Sequence, residues 1–471
     1  MSTFGALNTA YTGLVAAQAG LETVGQNVVN ANTEGYTRQR VRTSATVPLA
    51  QVGMTNGAAR PGQGVTVDGV ARLGDALLDA RVHTTASAGG YTAVRADALA
   101  SLETLLAEPG EHGLAAKMQS FWASWQDLSN QPDELAPAGV VLENAAALVN
   151  ALGESYRAVD AEWTRTRENV QTSVDGLNTA AARVANLNQQ IRSAINSGGS
   201  ANELIDRRSA VVATMATLAG ATVHDNGDGT LNVLLAGNAI VDGTTARSLQ
   251  VTGAVGLADA AAAPVRLEWT HRPGTAAYLD GGKLAGSVSL LAPADAAGKG
   301  GLLAEAAASY DALATTLAQQ VNAVHRTGTT PSGATGTDFF AVDAGAPPAL
   351  GLRVAAAGPE AVATGTGGYD GSVADAISQI GVAADSPDRL WAGFVTRTAV
   401  ASSSARQQAA LADVAATSAV AAQLSNASVS LDEENINLLA LQRAYQGAAR
   451  VLTAVDEMLD VLINRTGRVG L

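Results

Sequence analysis

The chain of 471 residues contains no cysteine, only three lysines (Lys117, Lys283, Lys299) and few aromatics, 4% of its residues. Zero cysteine excludes disulfides, thiolate metal sites and cysteine nucleophiles. Charged residues make up 15%, against a usual share of about 25%. The formal net charge is −14 with no basic run, so nucleic acid is not an expected partner. No uninterrupted apolar run of about 18 residues occurs, so no transmembrane helix is expected. The first basic residue is Arg38; a secretory signal peptide needs a basic start. The expectation is a cytosolic chain, or one exported by a route that does not use that signal.

What is present is mostly small and apolar. Hydrophobic residues reach 47%, but much of that is alanine, which favours helix more than it adds burial. The length suggests about three domains. Leu7, Leu14, Leu21 and Val28 recur every seven residues, with Tyr11 three before Leu14, which predicts a heptad helix near the N-terminus. Ala16, Ala17, Ala19 and Gly20 would admit a close partner helix. Near the C-terminus Leu431, Leu438, Tyr445, Leu452 and Leu459 are seven apart, as are Leu441, Ala448, Val455 and Leu462. Asp432, Glu433 and Glu434 sit where a helix start favours acids. Two such helices either pair with each other or with neighbouring subunits, or are ordinary core helices of one domain.

Between them, residues 37–90 read as loops and short strands, 92–219 as mostly helix, and about Asp133 to Ile195 as one long helix or a kinked pair. Residues 221–292 switch to strand period, with turns at Asp228-Gly229 and Asp242-Gly243. Residues 301–326 return to helix, 327–371 read as loop with short strands, and 373–425 as helix broken near Ser386-Pro387. The fold class expected is mainly α with a β-rich insertion, a nested rod-like multidomain protein whose terminal helices pair as a coiled coil.

No catalytic constellation stands out. The five histidines are scattered, and neither the nucleophile-elbow nor the phosphate-loop pattern occurs. Asp225 to Gly229 resembles a calcium loop but lacks the closing Glu, so a hairpin turn is expected. Glu203 and Arg207, four apart, read as a solvated ion pair; Trp122 and Trp125 read as core. No catalytic residue, metal ligand or cofactor is therefore assigned. The most unusual segment follows the first helix: Asn30, Asn32, Thr33, Gly35 and Tyr36, a helix end and turn that would aim the helix at the next domain.

That segment, Asn-x-Asn-Thr-x-Gly-Tyr after a heptad helix, resembles the N-terminal motif of the bacterial flagellar axial family of rod, hook and hook–filament junction proteins. Gly35-Tyr36-Thr37-Arg38-Gln39 is most similar to the hook-associated junction members. Leu431-Asp432-Glu433-Glu434, Leu441 to Gln446, the Asn202-x-Leu204-x-Asp206-x-Arg208 helix, Gly281 to Leu284, Val321 to His325 and Asp338-Phe339-Phe340 follow in the same family's order. The resemblance implies a structural junction subunit required for filament assembly, not an enzyme. It implies self-association in a ring-like layer of about eleven subunits, with the hook protein on one side and a second junction protein toward the filament. It also implies export unfolded by the flagellar type III route, a cytosolic export chaperone on the C-terminal segment, and no membrane insertion. The assembly interface expected is Leu7, Leu14, Leu21, Val28, Leu438, Tyr445, Leu452 and Leu459. The domains expected are a terminal coiled coil (1–36 plus 429–471), a helical bundle (37–220, 299–328 and 372–428) and a β-rich outer domain (221–298 plus 329–371). Other readings are the hook subunit, the second junction protein, an adhesin, or a surface hydrolase using His224, Asp225, Asp228 and Asp242.

Overall fold

The computed structural model describes residues 3–46, 62–295, 298–367 and 369–465. The outermost residues of the proposed terminal domain, 1–2 and 466–471, lie outside them. The chain opens with helix α1 (Thr3–Val29), then a hairpin of β1 (Gln39–Ala45) and β2 (Val65–Arg72) with a bulge between Arg42 and Thr43. Helix α2 (Ala76–Leu106) follows, its start fixed by Asp75, whose carboxylate accepts from the Leu77 and Leu78 amides. The sequence expectation of loop and strand through residue 90 fails here. Gly89-Gly90 and Thr84-Thr85 look like helix breakers, yet Gly90 is there for packing: a β-carbon placed on it would meet the Thr217 carbonyl at 2.5 Å.

The body is built on α4 (Leu135–Asn196), a single uninterrupted helix of 62 residues. Although it contains no uninterrupted apolar run of about 18 residues, α4 is long and apolar enough by composition to cross a membrane. Its apolar residues nevertheless recur at helical spacing toward the core, from Ala138, Val141, Ala145 and Leu148 through to Val184 and Ile191, all buried. Against α4 lie α3 (Leu114–Asn130), α5 (Asn202–Ala219), α6 (Gly282–Leu290) and α7 (Leu302–His325). Helix α6 falls inside the segment read as strand.

The β units pack on the same spine. A four-stranded antiparallel meander comprises β3 (Thr222–Asp225), β4 (Leu231–Leu235), β5 (Asn238–Asp242) and β6 (Thr245–Ala246). Two further pairs are β7 (Leu249–Thr252) with β8 (Arg266–Trp269), and β9 (Phe340–Val342) with β10 (Leu352–Val354), the latter two separated by the short α8 (Pro348–Gly351). Asn322 on α7 ties in the second pair: its Oδ1 accepts from the Phe339 and Phe340 amides, and its Nδ2 donates to the Phe340 carbonyl. One continuous core runs from Leu102 to Phe394, with Trp125, Trp163, Trp391, Phe121 and Tyr310 fully buried.

After α9 (Ser372–Ser378), Ser386 caps α10 (Pro387–Ala427), which has Pro387 at its first position. Helix α10 runs antiparallel to α2, with Arg406 on Glu103 at one end and Gln423 on Asp79 at the other. Ser430 then caps α11 (Leu431–Asp460), which returns along α1. A π turn at Val461–Arg465 continues it.

Candidate functional site

Helices α1 and α11 form an antiparallel arm. A β-carbon on Gly13 would sit 4.0 Å from the Ala448 β-carbon, and one on Gly20 would meet Leu441 at 2.7 Å; Asn27 reaches Glu434. Each step of seven along α1 is a step of seven back along α11. The closest face of α1 is therefore its small one: Ala10, Ala17 and Val24 are buried, alternating with Gly13, Gly20 and Asn27. Leu7, Leu14 and Leu21 flank that face half-buried, and Val28 is exposed. On α11, Leu438, Leu441, Leu452 and Leu459 are half-buried, Val455 is buried and Tyr445 is exposed.

At the body end of the arm, the elbow closes through its own polar groups. Asn30 Nδ2 donates to the Gln26 carbonyl at 3.0 Å, taking up a carbonyl freed by the helix end. The Thr33 hydroxyl donates to Asn30 Oδ1, and the Tyr36 amide to the Thr33 carbonyl. Gly35 has φ +76°, with open space around a β-carbon; backbone conformation, not crowding, selects glycine here. Asn32 is exposed. Tyr36 folds back so that its hydroxyl donates to Asn27 Oδ1 at 2.9 Å. Burial, reinforced by Glu203, Asp206 and Glu434, pushes this phenol up to about 12.

Beneath the elbow lies a buried polar hub that the motif did not announce. Asn27 is 1% exposed, and both ends of its amide are used. Its Nδ2 donates to the Gln39 carbonyl at 2.9 Å and to Glu434 Oε2 at 3.0 Å. Its Oδ1 accepts from the Gln39 amide at 2.9 Å as well as from Tyr36. Glu434, also 1% exposed, takes Arg38 Nε on its other oxygen at 2.7 Å, while Arg38 Nη1 reaches Glu433 at 2.6 Å. The Arg38 amide donates to the Ala427 carbonyl at the end of α10.

The first residue of β1 straddles two parts of the molecule. The Gln39 backbone faces Asn27, and its side chain faces α5: Asn202 Nδ2 donates to Gln39 Oε1 at 3.0 Å, and Gln39 Nε2 donates to Glu203. Asn202 also donates to the Val70 carbonyl on β2. One turn on, Asp206 accepts from the Thr37 amide at 3.0 Å and from Arg72 Nε at 2.5 Å. Charge-assisted bonds of this kind are about twice as strong as neutral ones. Glu203 thus bonds Gln39 rather than forming the expected pair with Arg207. Arg208, two residues past Asp206, points the other way and is buried. Its Nη1 donates to Asn188 and to the Gly229 carbonyl, both at 2.7 Å. Burial pulls its guanidinium down to about 10.

Sequence pattern alone does not single out Asn27, Gln39 and Glu434 as site residues. The sequence did carry one signal: Asn27 continues the Gly13–Gly20 spacing of seven, a polar residue on a small-residue seam. Glu434 reads as one of three acids at a helix start and as part of the Leu431-Asp432-Glu433-Glu434 marker, neither of which points to burial against Asn27.

The carboxylates considered for hydrolysis serve turns. Asp225 accepts from the Gly227 amide and Asp228 from the Thr230 amide and hydroxyl, while Asp242 faces Arg247 at 3.4 Å. His224 lies on the exposed strand β3. Among the described residues, no group of three or more His, Asp or Glu could hold a metal ion.

The arm's C-terminal part points to the axial proteins of the bacterial flagellum: residues 422–465 match the family model described as flagellar basal body rod FlgEFG protein C-terminal. Residues 99–340, just over half of the chain, match that of the flagellar hook-associated protein FlgK helical domain, and the chain belongs to that family. It is 29% identical to flagellar hook-associated protein 1 of Bacillus subtilis (strain 168), over 100% of this chain and 99% of the relative. To the protein of that name in Salmonella typhimurium it is 31% identical, over 71% of this chain and 59% of the relative. The fold resembles the solved flagellar hook junction protein FlgK from Burkholderia pseudomallei, with TM-score 0.62 and 16% identity over 74% of this chain and 100% of that one.

Proposed function

We propose that this chain is a structural subunit of the hook–filament junction, required for filament assembly, and not an enzyme. The observation that carries the reading is the arm. Both ends of the chain meet in one antiparallel pair fixed to the body by the hub, and that pair leaves large apolar side chains in water. Ile436 is 68% exposed and Ile463 74%, surface that neighbouring subunits would cover. The arm suits an inner layer of self-associating copies, about eleven by family analogy, with hook protein below and a second junction protein above. The chain is exported unfolded to the flagellum, and an export chaperone grips the C-terminal segment on the Leu438, Tyr445, Leu452 and Leu459 face.

Three nested units fit this role: the terminal pair (1–36 plus 429–471), the helical body (37–220, 299–328 and 372–428) and an outer β-rich unit (221–298 plus 329–371). The thin Ala/Gly seam gives the arm little stability of its own, so both termini become ordered on assembly.

The test is deletion of the gene. The expected phenotype is hooks without filaments and monomeric flagellin in the medium, reversed by a wild-type copy. Normal filaments on the deletion strain would overturn the assignment.

A further inference from the structure

We propose that Asn27 and Glu434 form a two-part lock that seats the arm on the body, so that α1 and α11 dock only as a pair; this rests on the junction reading above. The argument is one of saturation. Asn27 makes four hydrogen bonds, the full capacity of a side-chain amide. Two of them pair with both backbone groups of Gln39, as a neighbouring strand would. A third goes to a carboxylate 407 positions away in sequence.

Glu434 in turn takes its side-chain partners, Asn27 and Arg38, from the N-terminal segment. A buried carboxylate stripped of its partners is strongly destabilising. With α1 absent, α11 would have to bury an uncompensated charge to take its place. With α11 absent, Asn27 and Arg38 lose an acceptor. Because Gln39 also bonds Asn202 and Glu203 on α5, seating the pair and orienting it on the body are one event. Asn27 is thus a positioning residue, acting through Glu434 and Gln39.

The asymmetry of the amide makes the lock testable. Asn27→Asp keeps the oxygen that accepts from Gln39 and Tyr36, but sets a second oxygen against the Gln39 carbonyl and the Glu434 carboxylate. Glu434→Gln in that background restores a donor between the two residues and returns the hub to its original charge. Seating can be read directly because the chain has no cysteine. Gly13→Cys with Ala448→Cys places two β-carbons about 4.0 Å apart, within disulfide range. The oxidative cross-linking rate of the purified full chain follows the seated fraction, even where that is the minor state.

Asn27→Asp is expected to slow cross-linking at least tenfold, a factor of ten being about 1.4 kcal/mol, and the double variant Asn27→Asp/Glu434→Gln to recover part of that loss, the Gln39 carbonyl still lacking its donor. The body's thermal transition should be the same in all variants, since its core contains no residue of α1 or α11. An undiminished rate in Asn27→Asp, or a double variant as slow as the single, would overturn the lock. Cells carrying the same variants separate this from the functional reading. If wild-type complementation fails to restore filaments, the junction assignment is at fault. If it succeeds and the cross-linking pattern is absent, the lock is.

Discussion

The body and the arm are built from the same alanine-rich composition but on opposite plans. In the body, large side chains meet at the centre. Phe121 lies within 4.9–6.2 Å of Trp122, Trp125, Phe339 and Phe340, ring centre to ring centre, and Tyr310, Trp391 and Phe394 form a second aromatic group. In the arm, small residues meet at the seam, and several of the large ones face outward. The body gathers its largest side chains into one core, although Leu77, Val255, Leu411 and Val414 stay exposed, whereas the arm satisfies its buried polar groups and keeps Ile436 and Ile463 in water.

The sharpest way to break this contrast is a matched pair of truncations. Phe121→Ala is expected to cost about 3–5 kcal/mol, the usual range for a buried aromatic, read as a lowered denaturant midpoint of the purified chain. Val455→Ala, at the most buried apolar position of α11, should leave that midpoint nearly unchanged while reducing filament number in cells. Equal losses from both substitutions would mean that the arm and body fold as one unit.

A smaller effect distinguishes the body further. His325 is fully buried on α7, where Nδ1 donates to the Thr337 carbonyl and Nε2 accepts from the Ala363 amide. Burial holds it below its ordinary 6.5, with the Thr337 bond and Asp338 opposing. His83 is shifted the same way by burial, against Asp79. The unfolded chain therefore takes up these protons first. The stability that these two histidines contribute is full above pH 6.5 and is lost as pH falls below that value. His325→Gln should flatten the fall in denaturant midpoint between about pH 7 and 5; an unchanged slope would remove His325 from the cause.

The same contrast explains what could be read from the residues alone. Long periodic elements are plain, since α4 carries a buried residue every three or four positions for most of its length. The C-terminal heptads and the elbow are equally plain, because spacing and turn chemistry are local. Packing between distant segments is not. Gly90 looks like a breaker until Thr217 is placed beside it. Leucine size draws attention to Leu7, Leu14 and Leu21, while the closest approach runs along Ala10, Gly13, Ala17 and Gly20, where absence of side chain is the signal. The hub lies furthest from view, because it joins positions 27, 38–39, 202–206 and 434, and no local pattern links them.

Hydrogen exchange on the purified free chain tests the division between body and arm most directly. The expected result is slow exchange along α4 and α7 with fast exchange along both α1 and α11, the arm becoming protected only in assembled junctions. Strong protection of both terminal helices in the free chain would contradict it.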